Sequence, residues 1–198
     1  MVVTWSTLHR ITDKGHVQFG ESSSALLHSV PAEVTQFTDG AHLYTYRALL
    51  TGLKPAHQYC ELVPQKSSCT FSFPLTIDKL ADFWFILFCK TDYRVGSAES
   101  SWSKVFHFKT LPLGNSWSPR LAIYGDLGFQ NEESLPFLSK DIEKDLYDVI
   151  FHIGDFAYDL NERSGEQGND FMRSIEKVAA KVPYMTVPGN HEHHANFR

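Results

Sequence analysis

Gly125-Asp126-Leu127-Gly128, Gly154-Asp155-Phe156-Ala157-Tyr158 and Gly189-Asn190-His191-Glu192 each close an apolar run. The runs, Arg120–Tyr124, Val149–Ile153 and Tyr184–Val187, read as buried parallel strands of an α/β sheet. Motifs at strand ends lie on the edge where such sheets build ligand sites. Two carboxylates, a phenol, an amide and an imidazole would converge there. That inventory suits a pair of hard or borderline metal ions that activate water against a phosphate ester.

The connections between the strands carry helical periodicity. Leu135, Leu138, Ile142 and Leu146 recur at three- and four-residue steps, and so do Phe171, Met172, Ile175, Val178 and Ala179. Glu132 and Glu133, after Asn131, predict a capped and acidic start for the first helix. The stretch therefore reads β-α-β-α-β, with right-handed crossovers.

Each residue type has a chemical reason to be there. Asp126 and Asp155 can each offer a carboxylate oxygen, and one central carboxylate can bridge two ions. Asn190 offers a neutral amide oxygen, which adds no negative charge beside an anionic substrate. Tyr158 follows three residues after Asp155. A phenol, with an ordinary pKa of about 10, ligates well only where a strongly acidic cation such as ferric iron displaces its proton. The bland alternatives are helix caps for both aspartates, a packed aromatic for Tyr158, a turn for Asn190 and a structural histidine for His191. A lone Gly-Asp pair marks an ordinary turn; three motifs in order, each after an apolar run, are far more specific. His152, inside the second run, reads as a core histidine, and His193 and His194 as solvated loop residues.

On these motifs, the stretch from Pro119 to Arg198 resembles the calcineurin-like metallophosphoesterases, and within them the purple acid phosphatases of the animal, plant-like iron/zinc type. The narrower likeness rests on Gly128, where most of that superfamily places a histidine, and on Tyr158 in the second motif. The resemblance implies that Asp126 and Tyr158 bind Fe(III), and that Asp155 bridges it to a divalent ion (Zn, Fe or Mn). Asn190 is implied to bind the divalent ion. His191 is implied to be the catalytic histidine that contacts substrate and protonates the leaving group. The implied activity is acid hydrolysis of phosphate monoesters by metal-bound hydroxide, with an acidic pH optimum. Secretion or lysosomal placement follows from the same likeness, which also allows a homodimer. The family draws three further histidine ligands from two later motifs, so this chain is expected to hold part of a dinuclear site and to be truncated at both ends. Two other readings stand beside this one. One is a related metallophosphoesterase acting on diesters or nucleotides; the other is a non-catalytic fragment or adhesion module.

The N-terminal part has a different texture. Val2–Trp5, Val17–Phe19, Tyr44–Leu50 and Val105–Phe108 are β-branched and aromatic runs between turn residues, as an all-β sandwich requires. Leu53-Lys54-Pro55 followed by Tyr59 resembles the tyrosine corner of a fibronectin-III-like domain, and Trp102-Ser103 before the last strand fits the same family. Between Tyr59 and Tyr93 the run Cys60–Asp92 intervenes, far longer than the usual hairpin loop of about 2–5 residues. It holds Cys60, Cys69 and Cys89, and it reads as a retained intron or gene-model error in preference to a functional loop. The expected organisation is multidomain: a fibronectin-III-like β-sandwich over 1–111 with 60–92 anomalous, a linker over 112–119, and an incomplete α/β metallophosphoesterase domain over 120–198.

Composition bounds the remaining classes. A formal charge of −5 with dispersed signs leaves no basic stripe, so nucleic acid is not an expected partner. Phe83–Phe88 is an apolar run far short of the roughly 20 residues that span a bilayer. No secretory leader is legible at the N-terminus. The three cysteines all lie in the anomalous segment, so their number says little about redox compartment.

Overall fold

The computed structural model describes residues 1–36, 43–55, 90–156, 158–160 and 162–192. Tyr59, the three cysteines, Phe83–Phe88, His193 and His194 lie outside the described residues. Two antiparallel sheets make up the N-terminal half. Its strands are β1 (Val2–Thr7), β2 (His16–Gly20), β3 (His28–Pro31), β4 (Glu33–Gln36), β5 (Tyr44–Leu49), β6 (Lys90–Gly96) and β7 (Phe106–Lys109). One sheet runs β1-β5-β4 and the other β3-β2-β6-β7.

Alternation along the strands explains how the sheets meet. In β1, Val3 is buried while its neighbours Val2 and Thr4 are exposed. Val3 and Ala48 from one sheet join Val17, Phe19, Tyr93 and Phe108 from the other in a single core, so the two sheets form a sandwich. Tyr46 is buried, stacks on Trp5 at 5.2 Å and accepts a hydrogen bond from the Ile11 N–H at 2.8 Å. β3 and β4 are short strands that the sequence reading did not single out. Their side chains are mostly exposed, which removes the apolar alternation that marks a strand. β6 starts at Lys90, so residues 90–92 of the expected insertion are strand, with Thr91 opposite Phe108 and Asp92 opposite Gly20. Trp102 lies under the Arg94 guanidinium at 4.6 Å, and the same guanidinium grips the Gln18 amide oxygen through two N–H groups at 2.9 and 2.7 Å.

The C-terminal half is β8 (Leu121–Tyr124), α1 (Leu135–Glu143), β9 (Val149–Ile153), α2 (Glu166–Ala179) and β10 (Tyr184–Val187). The strands are parallel in the order β10-β9-β8, which is the expected β-α-β-α-β arrangement. Ala122, Ile150, Leu135, Ile142, Phe171, Ile175 and Val178 form its core. Burying a side chain of the Val, Ile or Phe type contributes about 1.5–3 kcal/mol, so α2, which buries Phe171, Ile175 and Val178, is a principal tie to the sheet.

Three expectations need correction. The strands are covered on one face only among the described residues: Leu121, Ile123, Ile153, Met185 and Val187 point outward and are exposed. Their continuous apolar runs are those of a sheet buried on both sides. Leu146 falls beyond the end of α1, after Asp145 turns the chain with a φ of 57°. Asn131 does not cap α1, which starts after Ser134 with no side-chain cap, carries proline in its first turn and has no acidic residue there. Pro136 is favourable in that turn because its missing N–H would have been unpaired anyway.

Among the described residues, three polar contacts join the halves. The buried Tyr93 hydroxyl donates to the Ala180 carbonyl at 2.9 Å, just past α2. Lys104 pairs with Glu176 at 2.7 Å and Lys109 with Asp145 at 2.9 Å. Lys104–Glu176 is largely exposed and contributes little. The Tyr93 bond is sheltered and contributes about 1 kcal/mol.

Candidate functional site

The strand register brings the three motifs together. Tyr124 pairs with His152 and Val187 with Ile153, so Gly125, Gly154 and Pro188 leave the sheet side by side. Past the strand ends the Asp126 N–H still donates to the Gly154 carbonyl at 3.1 Å. There the chain leaves extended geometry abruptly. Asp126, Asp155, Tyr158 and Asp159 have φ of 55, 52, 43 and 62°. Non-glycine residues rarely adopt that left-handed region, at a cost of about 1–3 kcal/mol each. Such conformations persist only where surrounding contacts impose them.

Those contacts are visible. The Asn131 side chain accepts the Gly128 N–H at 2.6 Å and donates to the Asp126 carbonyl at 2.7 Å, which closes the first loop on itself. The Glu192 carboxylate accepts the N–H groups of Asp155, Phe156 and Gly189 at 2.9, 3.0 and 2.8 Å. A Cβ on Gly154 would stand 2.9 Å from the Gly189 Cα, and one on Gly189 would run into the Asp155 carboxylate. Only glycine fits at both positions.

The side chains named from the sequence gather at this edge. The Tyr158 hydroxyl donates to Asp126 Oδ1 at 3.3 Å. Asp155 Oδ1 accepts the backbone N–H of His191 at 3.0 Å. The Tyr158 and His191 rings meet edge-on at 4.7 Å, and His191 Nδ1 lies 3.7 Å from Asp159 Oδ1. Asn190 is exposed, between Gly189, whose N–H donates to Glu192, and His191, whose N–H donates to Asp155. Partial desolvation, together with the negative charges of Asp126 and Asp155, pushes the Tyr158 phenol up, against a hydrogen bond from Asn131 that favours phenolate. The phenol therefore keeps its proton and shares it with Asp126.

This donor set fits hard cations in kind: two carboxylates, a phenol and an amide, all oxygen. A cation would replace the proton that Tyr158 now lends to Asp126. In number the set supplies only part of the shell of two ions. Among the described residues, no three His, Cys, Asp or Glu side chains gather as a metal cluster.

His152 lies beneath the site, fully buried, with Nδ1 2.8 Å from the Tyr184 hydroxyl, which accepts from Tyr124 at 3.0 Å. Burial pushes its imidazole down, against the charges of Glu192, Asp126 and Asp155. It packs on Phe156 at 5.3 Å and belongs to the core. Three polar residues of the site had no such role in the sequence reading: Asn131, Asp159 and Glu192. A short polar side chain three residues after Gly128 is also a turn signal, which the expectation of a helix cap passed over. Glu192 gave no comparable signal, because two of its three partners are backbone groups more than thirty residues away.

Comparison with known proteins follows the same two halves. Residues 1–74 match the family model "Purple acid Phosphatase, N-terminal domain", and residues 119–198 match "Calcineurin-like phosphoesterase". Acid phosphatase type 7 of Homo sapiens is 38% identical over 202 residues, covering 100% of this chain and 38% of that protein. The Mus musculus protein of the same name is 36% identical over the same coverage. The chain thus spans 38% of the length of these relatives. The structure of a purple acid phosphatase from yellow lupin (Lupinus luteus) seeds superposes with a TM-score of 0.68 at 24% identity. That match covers 96% of this chain and 33% of the lupin chain, and it bears on the fold alone.

Proposed function

Because the chain belongs to the purple acid phosphatase family of calcineurin-like phosphoesterases, we propose that it forms part of an acid phosphatase acting on phosphate monoesters. The observation that carries this reading is the convergence of Asp126, Asp155, Tyr158, Asn190 and His191 at three neighbouring strand ends. In the proposed assignment, Asp126 and Tyr158 would hold Fe(III), Asn190 would hold a divalent ion (Zn, Fe or Mn), and Asp155 would serve both. When bound, such ions offset phosphoryl charge and make water acidic enough to serve as a nucleophile at low pH.

The chain's own residues do the rest. The His191 N–H fixes one oxygen of Asp155, which sets the direction of its carboxylate. The His191 ring lies edge-on to Tyr158 and faces Asp159, and in this proposal it gives its proton to the departing alkoxide. Asn190, being neutral, leaves room for a dianionic substrate.

The proposed organisation keeps a sandwich over 1–111, a connection over 112–119 and a catalytic portion from 120 onward. Strandless and helixless backbone between Lys109 and Leu121 supports that division. Secretion or lysosomal delivery, and a homodimeric state, are proposed on family grounds. Among the described residues no helix is long and apolar enough to cross a membrane.

The test uses the full-length protein with p-nitrophenyl phosphate and bis-p-nitrophenyl phosphate at acidic pH. Turnover of the monoester should exceed that of the diester, vanish on chelation and return with added metal. Preference for the diester would move the assignment to a phosphodiesterase. Undiminished monoester turnover after complete metal removal would end the metallophosphatase reading.

A further inference from the structure

We infer that Glu192 is a positioning residue: its carboxylate clamps the second and third strand-end loops so that Asp155 and Asn190 are held ready for metal. This rests on the metallophosphatase reading and adds a residue to it. Glu192 Oε2 accepts from Asp155 N–H at 2.9 Å and Gly189 N–H at 2.8 Å, while Oε1 accepts from Phe156 N–H at 3.0 Å. These donors have left the β ladder, and buried or half-buried N–H groups need partners. A single charged acceptor supplies three of them, in the stronger class of hydrogen bond.

The placement is specific. Two of the three donors are separated from Glu192 by more than thirty residues of chain and belong to the loop after β9. The third is at the head of its own loop, three residues earlier. The carboxylate therefore closes the gap between loops that touch at Gly154 and Gly189, where a Cβ would not fit. Asp155 is held in the left-handed region with a φ of 52°, and its N–H is one of the clamped groups. With backbone and Oδ1 both fixed, the latter by His191 N–H, the carboxylate of Asp155 has little freedom left. Among the described residues the Glu192 carboxylate takes its hydrogen bonds from backbone groups, so its effect on metal runs through Asp155 and Asn190.

Two substitutions separate clamping from charge. Glutamine has one acceptor oxygen and one NH2 group, so in either orientation at least one backbone N–H faces a donor. Aspartate keeps the charge but is shorter by about 1.5 Å, so it cannot reach both loops. The measurement is the Zn²⁺ dissociation constant of folded full-length protein, by competition with a chromogenic chelator, together with the unfolding midpoint of the metal-free form. Glu192→Gln and Glu192→Asp should both weaken Zn²⁺ binding, by the roughly 10–100-fold typical when a residue that orients a ligand is lost. Excess Zn²⁺ should recover much of the occupancy.

Parent-like Zn²⁺ affinity in both variants would overturn the inference. So would a loss confined to Glu192→Gln, which would make charge the only contribution. A lowered unfolding midpoint with parent affinity in the remaining folded fraction would reduce Glu192 to a stability residue and would overturn it too. A parent protein that binds no Zn²⁺ would instead condemn the metal assignment itself.

Discussion

Asp155→Asn in the full-length enzyme should lose bound metal and phosphatase activity together. Asparagine tolerates the left-handed backbone that Asp155 adopts, with a φ of 52°. Its amide oxygen can still accept the His191 N–H that Asp155 Oδ1 takes at 3.0 Å. The loop and its Glu192 clamp are therefore expected to survive. What disappears is the negative charge and the second oxygen, replaced by an NH2 group that repels a cation. Charge stabilisation by a bound ion is worth several kcal/mol, and about 1.4 kcal/mol is tenfold in rate. The expected loss is on the order of 10³-fold or more, with metal content well below the parent's. Elemental analysis and steady-state kinetics on one preparation check both. Retention of metal and rate would remove Asp155 from the centre.

His191→Ala should behave differently, losing rate while keeping metal. Alanine preserves the backbone N–H that holds Asp155 Oδ1, so the carboxylate stays oriented. The ring is what goes, together with its contacts to Tyr158 and Asp159. Removal of a positioned general acid costs about 10²–10⁴-fold. The deficit should be small for p-nitrophenyl phosphate, whose leaving group needs little protonation, and large for alkyl phosphates. Equal deficits on both substrates, with metal content intact, would make His191 a binding residue without an acid role.

Much of this centre is legible in the sequence because its parts are periodic or sharply punctuated. Val149–Ile153 and Tyr184–Val187 are strands with the bounds read from their apolar runs, and the third run loses only Arg120. The repeats of Leu135, Leu138 and Ile142 and of Phe171, Ile175 and Val178 gave both helices, since each lines one face at 3.6-residue spacing. Illegible features are those set by side-chain-to-backbone contacts that leave no periodic pattern in the sequence. Asn131 has the composition of a helix cap, yet it serves Gly128 and Asp126 because Ser134 and Pro136 set the helix start later. Glu192 looks like an ordinary exposed acid until the register of β9 and β10 places three N–H groups around it. β3 and β4 escaped for a related reason, because strands with mostly exposed side chains carry no apolar period.

The most direct measurement is the visible spectrum and metal content of the purified full-length protein beside its Tyr158→Phe variant. The Tyr158 hydroxyl stands 3.3 Å from Asp126 Oδ1, with its proton in the place proposed for ferric iron. Phenylalanine would keep the edge-on packing against His191 while deleting the oxygen proposed to ligate iron and colour the centre. The expected result is a coloured parent, with a tyrosinate-to-iron absorption band and bound iron, and a variant in which that band is gone. A parent that is colourless, free of iron and fully active would contradict the assignment.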